Sequence, residues 1–300
     1  MRPTALSAFL LLTLANLFWS GNWVAGRALR DAFDPITLNF WRWTVAVLVL
    51  APFALPGLLG KAALLRRHAG ILLLLSLAGV ATFQSLVYLG LRSTTAVNAV
   101  LINSSLPMFM LLCSWVIERE RASPRQIGGM LISLAGILVI LSRGSPAALL
   151  ELELQAGDAW ILLAMPVWGT YSVLLKRRPK ELGGLEFLFV ISVAGVLMLL
   201  PAAAFVGTRG SVEWPAPAAA AGVLYMGIFA SVLAFICWNR GVATVGANAA
   251  GFTVHLLPAF GTVLAILFLG ETFAGFHAAG IATILAGVLL ATRPAPARRP

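Results

Sequence analysis

Ten stretches of about twenty apolar residues each leave this chain few folds to adopt. They run from Thr4 to Ala25, Pro35 to Leu55, Ala69 to Leu91, Thr94 to Ile117, Pro124 to Leu141, Asp158 to Leu175, Gly184 to Phe205, Pro215 to Trp238, Ala243 to Leu269 and Phe273 to Thr292. Runs of this length match the apolar thickness of a bilayer rather than a buried helix of a soluble core. Composition agrees: 60% of residues are apolar, 11% are charged and the mean hydropathy is +0.94, outside the usage of water-soluble domains. A backbone facing lipid must satisfy its polar groups internally. The runs lack the alternating pattern of a membrane barrel, so each is expected to be an α-helix. The first run is read as a span rather than a cleaved leader, because Arg2 gives a thin basic region and no A-x-A site follows. Cys113 and Cys237 lie inside apolar runs and read as small core residues, with no disulfide framework.

The chain also repeats itself. An offset of 151 residues places Pro258 on Pro107, Glu271 on Glu120, Ala247 on Ala96, Gly280 on Gly129 and Gly287 on Gly136. Leu/Ala/Gly-rich sequences align with themselves at many offsets, but a proline and a glutamate at the same spacing in both copies are rarer, and the reading is an internal duplication. The expected fold is an all-α polytopic membrane protein. A first five-helix repeat covers 1–142, a linker 143–157, a second five-helix repeat 158–292 and a basic tail 293–300. Within the linker, ALLELEL suits a short surface helix. An odd number of spans per repeat makes the second copy enter from the opposite face, giving two inverted repeats.

Charge sets the expected orientation. Fifteen of the 21 Lys and Arg fall on the side of the N-terminus and five on the other, with Arg42 inside the second span. This bias puts both termini in the cytoplasm of an inner (plasma) membrane. The net charge of +10 is then a topology signal, and no nucleic-acid partner is implied.

In each half an early helix carries Ala-x-x-x-Trp, at Ala15 to Trp19 and Ala164 to Trp168. A later helix has a mid-span proline and an acidic exit, and a glycine-marked helix closes the half. In these features the chain resembles the EamA-type exporters of the drug/metabolite transporter superfamily over essentially its whole length. Leu269, Gly270 and Glu271 match that family's Leu-Gly-Glu exit, whereas the first half reads Glu118, Arg119, Glu120 and lacks the Leu-Gly pair. The resemblance implies ten helices in two inverted repeats and a route lined by the first, third, fourth, sixth, eighth and ninth spans. Within the family the chain is most similar to exporters of amino acids and related metabolites.

Asn16, Trp19 and Ser20 share one helical face with Trp23, and polar groups at mid-membrane are expected to face protein or water. Trp168, 149 residues after Trp19, has Tyr171 one turn on and supplies the counterpart in the second half. These two tryptophans are read as cavity walls, and Trp41, Trp43, Trp115, Trp160 and Trp214 as interface anchors or packing. Gln84, Tyr88, Trp238 and Asn103 add polar and aromatic candidates on neighbouring spans, although such amides serve equally as interhelical glue. His255 stands three residues before Pro258. It is either a buried histidine satisfied by proline-loosened backbone or a solute contact, and the second reading is preferred. Those ten residues form the expected substrate-binding set. Pro107 and Pro258 are expected hinges, with Glu120 and Glu271 as structural residues at helix exits.

All eleven carboxylates fall at span ends or in loops. That arrangement argues against the cation–proton exchange of small multidrug exporters. Arg42, near the outer quarter of its span, is expected to snorkel or to pair with Asp31 or Asp34. With His255 and no intramembrane acid there is no general acid–base pair, so an enzyme is not expected, nor any metal or cofactor. A receptor or scaffold would leave the inverted duplication unexplained. A secondary transporter explains it, exporting small neutral or zwitterionic solutes such as amino acids by alternating access. Its partners are the solute and the lipid bilayer, and the default state is a monomer, with a dimer through glycine-rich helices as the other possibility. His255 in an apolar setting is expected to stay neutral and carry no proton; a proton-coupled multidrug or metabolite antiporter is the alternative.

Overall fold

The computed structural model describes residues 4–145, 147–150, 153–208, 217–269 and 274–292. Glu271 therefore lies outside the described residues. Eight helices long and apolar enough to cross a bilayer are α1 (Ala5–Ala28), α2 (Pro35–Leu58), α3 (Ala69–Ser93), α4 (Asn98–Glu118), α5 (Pro124–Leu141), α6 (Ala156–Arg177), α7 (Gly184–Gly207) and, last in the chain, α10 (Gly275–Thr292). Before α10, Ala219–Leu264 forms one helical stretch of 46 residues. It divides at Gly246, where φ is 84° and ψ 161°, into α8 (219–245) and α9 (247–264). Divided there, the described residues hold ten spans. The apolar pattern places the α8–α9 boundary at 239–242; the helix instead runs through Arg240 and breaks at the glycine, the residue that adopts positive φ at little cost.

Local signals explain the helix starts. Asp34 accepts the Ile36 N–H at 2.9 Å with Pro35 in the first turn of α2. Ser123 and Gln126 form a reciprocal capping box ahead of α5. The end of α4 explains the imperfect repeat of the Leu-Gly-Glu pattern. Arg119, 151 residues before Gly270, takes the left-handed conformation (φ 59°) that closes a helix and that normally selects glycine. ALLELEL contributes to a single helical turn, Ala147–Leu150, with Leu150 exposed.

The two inverted halves interlock through equivalent neighbours. α1 lies against α8 and α9, and its counterpart α6 against α3 and α4. α2 covers a π-helical segment of α8 (Met226–Leu233), and its counterpart α7 covers one in α3 (Leu77–Thr82). α5 runs along α10 with glycines face to face. A Cβ on Gly129 would meet the backbone of Gly287 and Ala291, and one on Gly136 the backbone of Gly280 and Ile284. These glycines thus serve close packing of α5 against α10 within the chain.

Candidate functional site

Six spans, α1, α3, α4, α6, α8 and α9, each give at least one residue to a cavity at the centre of the bundle. Its walls are aromatic: Trp19 and Trp23 from α1, Phe83 from α3, Trp168 from α6 and Phe235 from α8. Trp19 meets Trp168 edge-on at 5.1 Å and Trp238 at 5.2 Å, and Phe83 lies 4.7 Å from Trp168. Leu106, Val254 and Leu257 complete the apolar surface.

Three carboxamides interrupt it: Asn22, Gln84 and Asn103, each at least nine-tenths buried. Gln84 and Asn103 make no hydrogen bond to any described residue, and Asn22 only accepts one, from the Tyr88 hydroxyl at 3.0 Å. Buried amides without protein partners are costly, so polar groups of this kind belong to a ligand or to water. A mostly apolar concavity with a few convergent polar groups is the usual form of a small-molecule site.

The space is ≈ 20 Å³, room for about one water molecule. Both ends are tied. At the end where α1 stops, Arg27 donates to the Thr94 carbonyl at 2.7 Å, and the Asp158 carboxylate takes hydrogen bonds from Thr94 and, at 2.8 Å, from Asn98. At the opposite end Lys176 pairs with Glu120 and Arg177 with Glu118 (2.8 Å). A wider recess of ≈ 380 Å³ opens beside this second end, lined by Lys176, Arg178, Lys180, Asn239 and the Gly246 kink. The Tyr171 hydroxyl donates to Asn239 at 3.0 Å and its ring lies 5.1 Å from Trp168, so one aromatic layer separates recess from cavity.

Of the ten residues expected to bind solute, Trp19, Gln84, Asn103 and Trp168 line the cavity. Tyr88, Tyr171 and Trp238 form the layer behind, bonded to Asn22, Asn239 and Ser172 respectively. Asn16, Ser20 and His255 lie off the wall. Asn16 donates to Thr253 at 3.0 Å and Ser20 to the Leu257 carbonyl at 3.2 Å, fastening α1 to α9. His255 is 1% exposed and clasped on both ring nitrogens, Nε2 against the Ser104 carbonyl at 2.9 Å and Nδ1 against the Ser133 hydroxyl. A carbonyl only accepts, so Nε2 carries the proton. His255 thus links α4, α5 and α9 from behind the cavity wall. Its partner Ser104 is its own counterpart, 151 residues earlier. Both stand at helix breaks, a turn at Ser104–Ser105 before Pro107 and a 3-10 turn, Thr253–His255, before Pro258. Glu120 also takes a 3.4 Å hydrogen bond from Asn248.

Arg42 departs most from expectation. It neither snorkels nor pairs with Asp31 or Asp34, whose partners are Arg30 and Arg92. It is 1% exposed and donates to Ser231 Oγ (2.5 Å), the Ala230 carbonyl (3.0 Å) and the Tyr88 hydroxyl (3.1 Å). Ala230 and Ser231 lie in the π-helical turn of α8, and the Ala230 carbonyl also accepts the Trp19 indole N–H at 3.0 Å. One turn earlier, Asn39 does the same for the π segment of α3, donating to Val80 and Ser85. No periodic signal in the sequence marks either π segment.

Comparison with known proteins decides the family. The profile of the EamA-like transporter family matches residues 6–142 and 155–293. The chain belongs to that family. An uncharacterized transporter of Archaeoglobus fulgidus is 29% identical over 292 residues, covering 94% of this chain and 96% of its own. A probable terminal-alkyne amino-acid exporter of Streptantibioticus cattleyicolor is also 29% identical, over 289 residues, with 96% and 94% covered. A solved crystal structure superposes with a TM-score of 0.75 over 96% of this chain and 98% of that one at 21% identity, which establishes a shared fold.

Proposed function

We propose that this EamA-family transporter exports small neutral or zwitterionic solutes, amino acids and related metabolites, across the inner membrane. Both termini lie in the cytoplasm, and repeats 1–142 and 158–292 are joined by the 143–157 linker. The carrying observation is the central cavity itself, where three buried carboxamides, Gln84 and Asn103 without a side-chain partner and Asn22 with its NH₂ unpaired, sit inside an aromatic box at the junction of six spans. The relative named as a probable amino-acid exporter supports the substrate class.

The present shape is an occluded state, closed to a solute at both ends. Ion pairs exposed as these are contribute about 0–1 kcal/mol each and so allow opening by turns. Breaks before Pro107 and Pro258 let the outer parts of α4 and α9 swing while Ser104 and His255 hold their centres together, giving alternating access by the two repeats. The test is efflux of radiolabelled L-leucine from liposomes containing the purified protein. Efflux several-fold above empty liposomes supports the reading, and parity with empty liposomes across a panel of amino acids refutes it.

A further inference from the structure

The geometry points to the carboxylate of the solute as the group this carrier recognises, with Arg42 as its counter-charge, an inference that rests on the transport reading above. A guanidinium 1% exposed inside a membrane bundle is expensive and normally has an acidic partner. Among the described residues, no carboxylate lies within ion-pair distance of Arg42. Its contacts are a hydroxyl, a carbonyl, a phenol and the Trp43 ring at 5.4 Å, all formally neutral. The positive charge is solvated but not cancelled.

The direction of the hydrogen bonds carries that charge to the cavity. Arginine can only donate, so the Tyr88 oxygen accepts from Arg42, and its own proton faces Asn22 Oδ1 at 3.0 Å, with the weaker acceptor Met226 Sδ at 3.7 Å. The carboxamide oxygen is the closer and stronger acceptor, which turns the Asn22 amide with its oxygen toward Tyr88. Its NH₂ group is left with no protein acceptor, in a side chain 2% exposed that lines the cavity. Each link polarises the next, so the chain Arg42, Tyr88, Asn22 ends in a strengthened donor aimed at the solute. An acceptor bearing negative charge suits that end, while the ring walls of Trp19, Trp168 and Phe235 suit an apolar side chain. The recess leading toward the cavity repeats the sign, with Arg178 and Lys180 on its rim beside Lys176, which pairs with Glu120.

The experiment is competition in proteoliposomes. Uptake of [³H]leucine against internal leucine is measured with excess leucine or leucinamide, which keeps the side chain and amino group but lacks the carboxylate. Leucine should compete at least about tenfold better than leucinamide, the value of one charge-assisted hydrogen bond. Arg42→Lys should retain the preference and Arg42→Gln should lose it, which a purely structural clamp would not do. Equal competition by leucinamide in the unaltered protein overturns the inference while leaving transport standing, and needs no variant to fold. A preference kept by a folded Arg42→Gln also overturns it. Absence of leucine flux above empty liposomes removes the transport reading and this inference together.

Discussion

Replacing Gly136 by alanine should weaken the α5–α10 contact, and the structure sets the size of the effect. The new Cβ would stand 2.7 Å from the Gly280 carbonyl oxygen and the Ile284 nitrogen. Ordinary contact begins at 3.4 Å, and backbone atoms cannot rotate away, so the helices must part by about 0.7 Å. The parting loosens the cluster of Ile137, Ile140, Ile284 and Val288, which this helix pair holds together. A gap of that size forfeits about a quarter to a half of each dispersion contact, and overpacking of this kind costs about 1–3 kcal/mol. Gly128 is the control on the same helix. A Cβ there meets nothing within 4 Å, and alanine adds up to about 1 kcal/mol of helix propensity. Thermal unfolding in detergent should therefore rank Gly128→Ala at or above the unaltered protein and Gly136→Ala below it. The two variants melting together would refute the argument that α5 and α10 are fixed by direct backbone approach.

Arg119→Gly should stabilise the protein by about 1 kcal/mol, read as a raised melting temperature, because it relieves a left-handed non-glycine residue at the end of α4. Trp168→Ala should reduce leucine transport below a tenth, and Trp168→Phe should retain part of it, since the ring forms the wall between Trp19, Phe83 and Phe235. Single cysteines at Arg2 and Arg299 should react with impermeant reagents only from the cytoplasmic side, and those at Arg92 and Arg209 only from outside; labelling of Arg299 from outside would reverse the proposed orientation.

The span count was legible because hydrocarbon imposes a length and forbids unsatisfied backbone. Boundaries at 35, 69, 124 and 184 coincide with proline, a change of polarity or a capping residue. The α8–α9 boundary was less legible, since the polar residues Asn239 and Arg240 resemble a loop while the φ requirement that breaks the helix sits at Gly246. In the site, Trp19 and Trp168 stood out as paired aromatics in the duplication. Phe83 and Phe235 did not, because a phenylalanine in an apolar span carries no signal separating cavity from core. Arg42 was misplaced because two of its partners, the Ala230 carbonyl and the Ser231 hydroxyl, are presented by a π turn, a backbone feature that side-chain spacing does not reveal. His255 was read from its place before Pro258; its two bonds, to Ser104 and Ser133, needed three helices in place.

The central claim is that the two repeats move a solute down its own gradient through the aromatic cavity without a titrating group in the route. Its most direct test is leucine flux in proteoliposomes with and without an imposed pH gradient, for the unaltered protein and for His255→Gln. Flux above empty liposomes that equilibrates leucine, with no accumulation when the pH gradient is applied, is the expected result. Accumulation above equilibrium that needs the gradient and disappears in His255→Gln would show that His255 carries protons and would contradict the account.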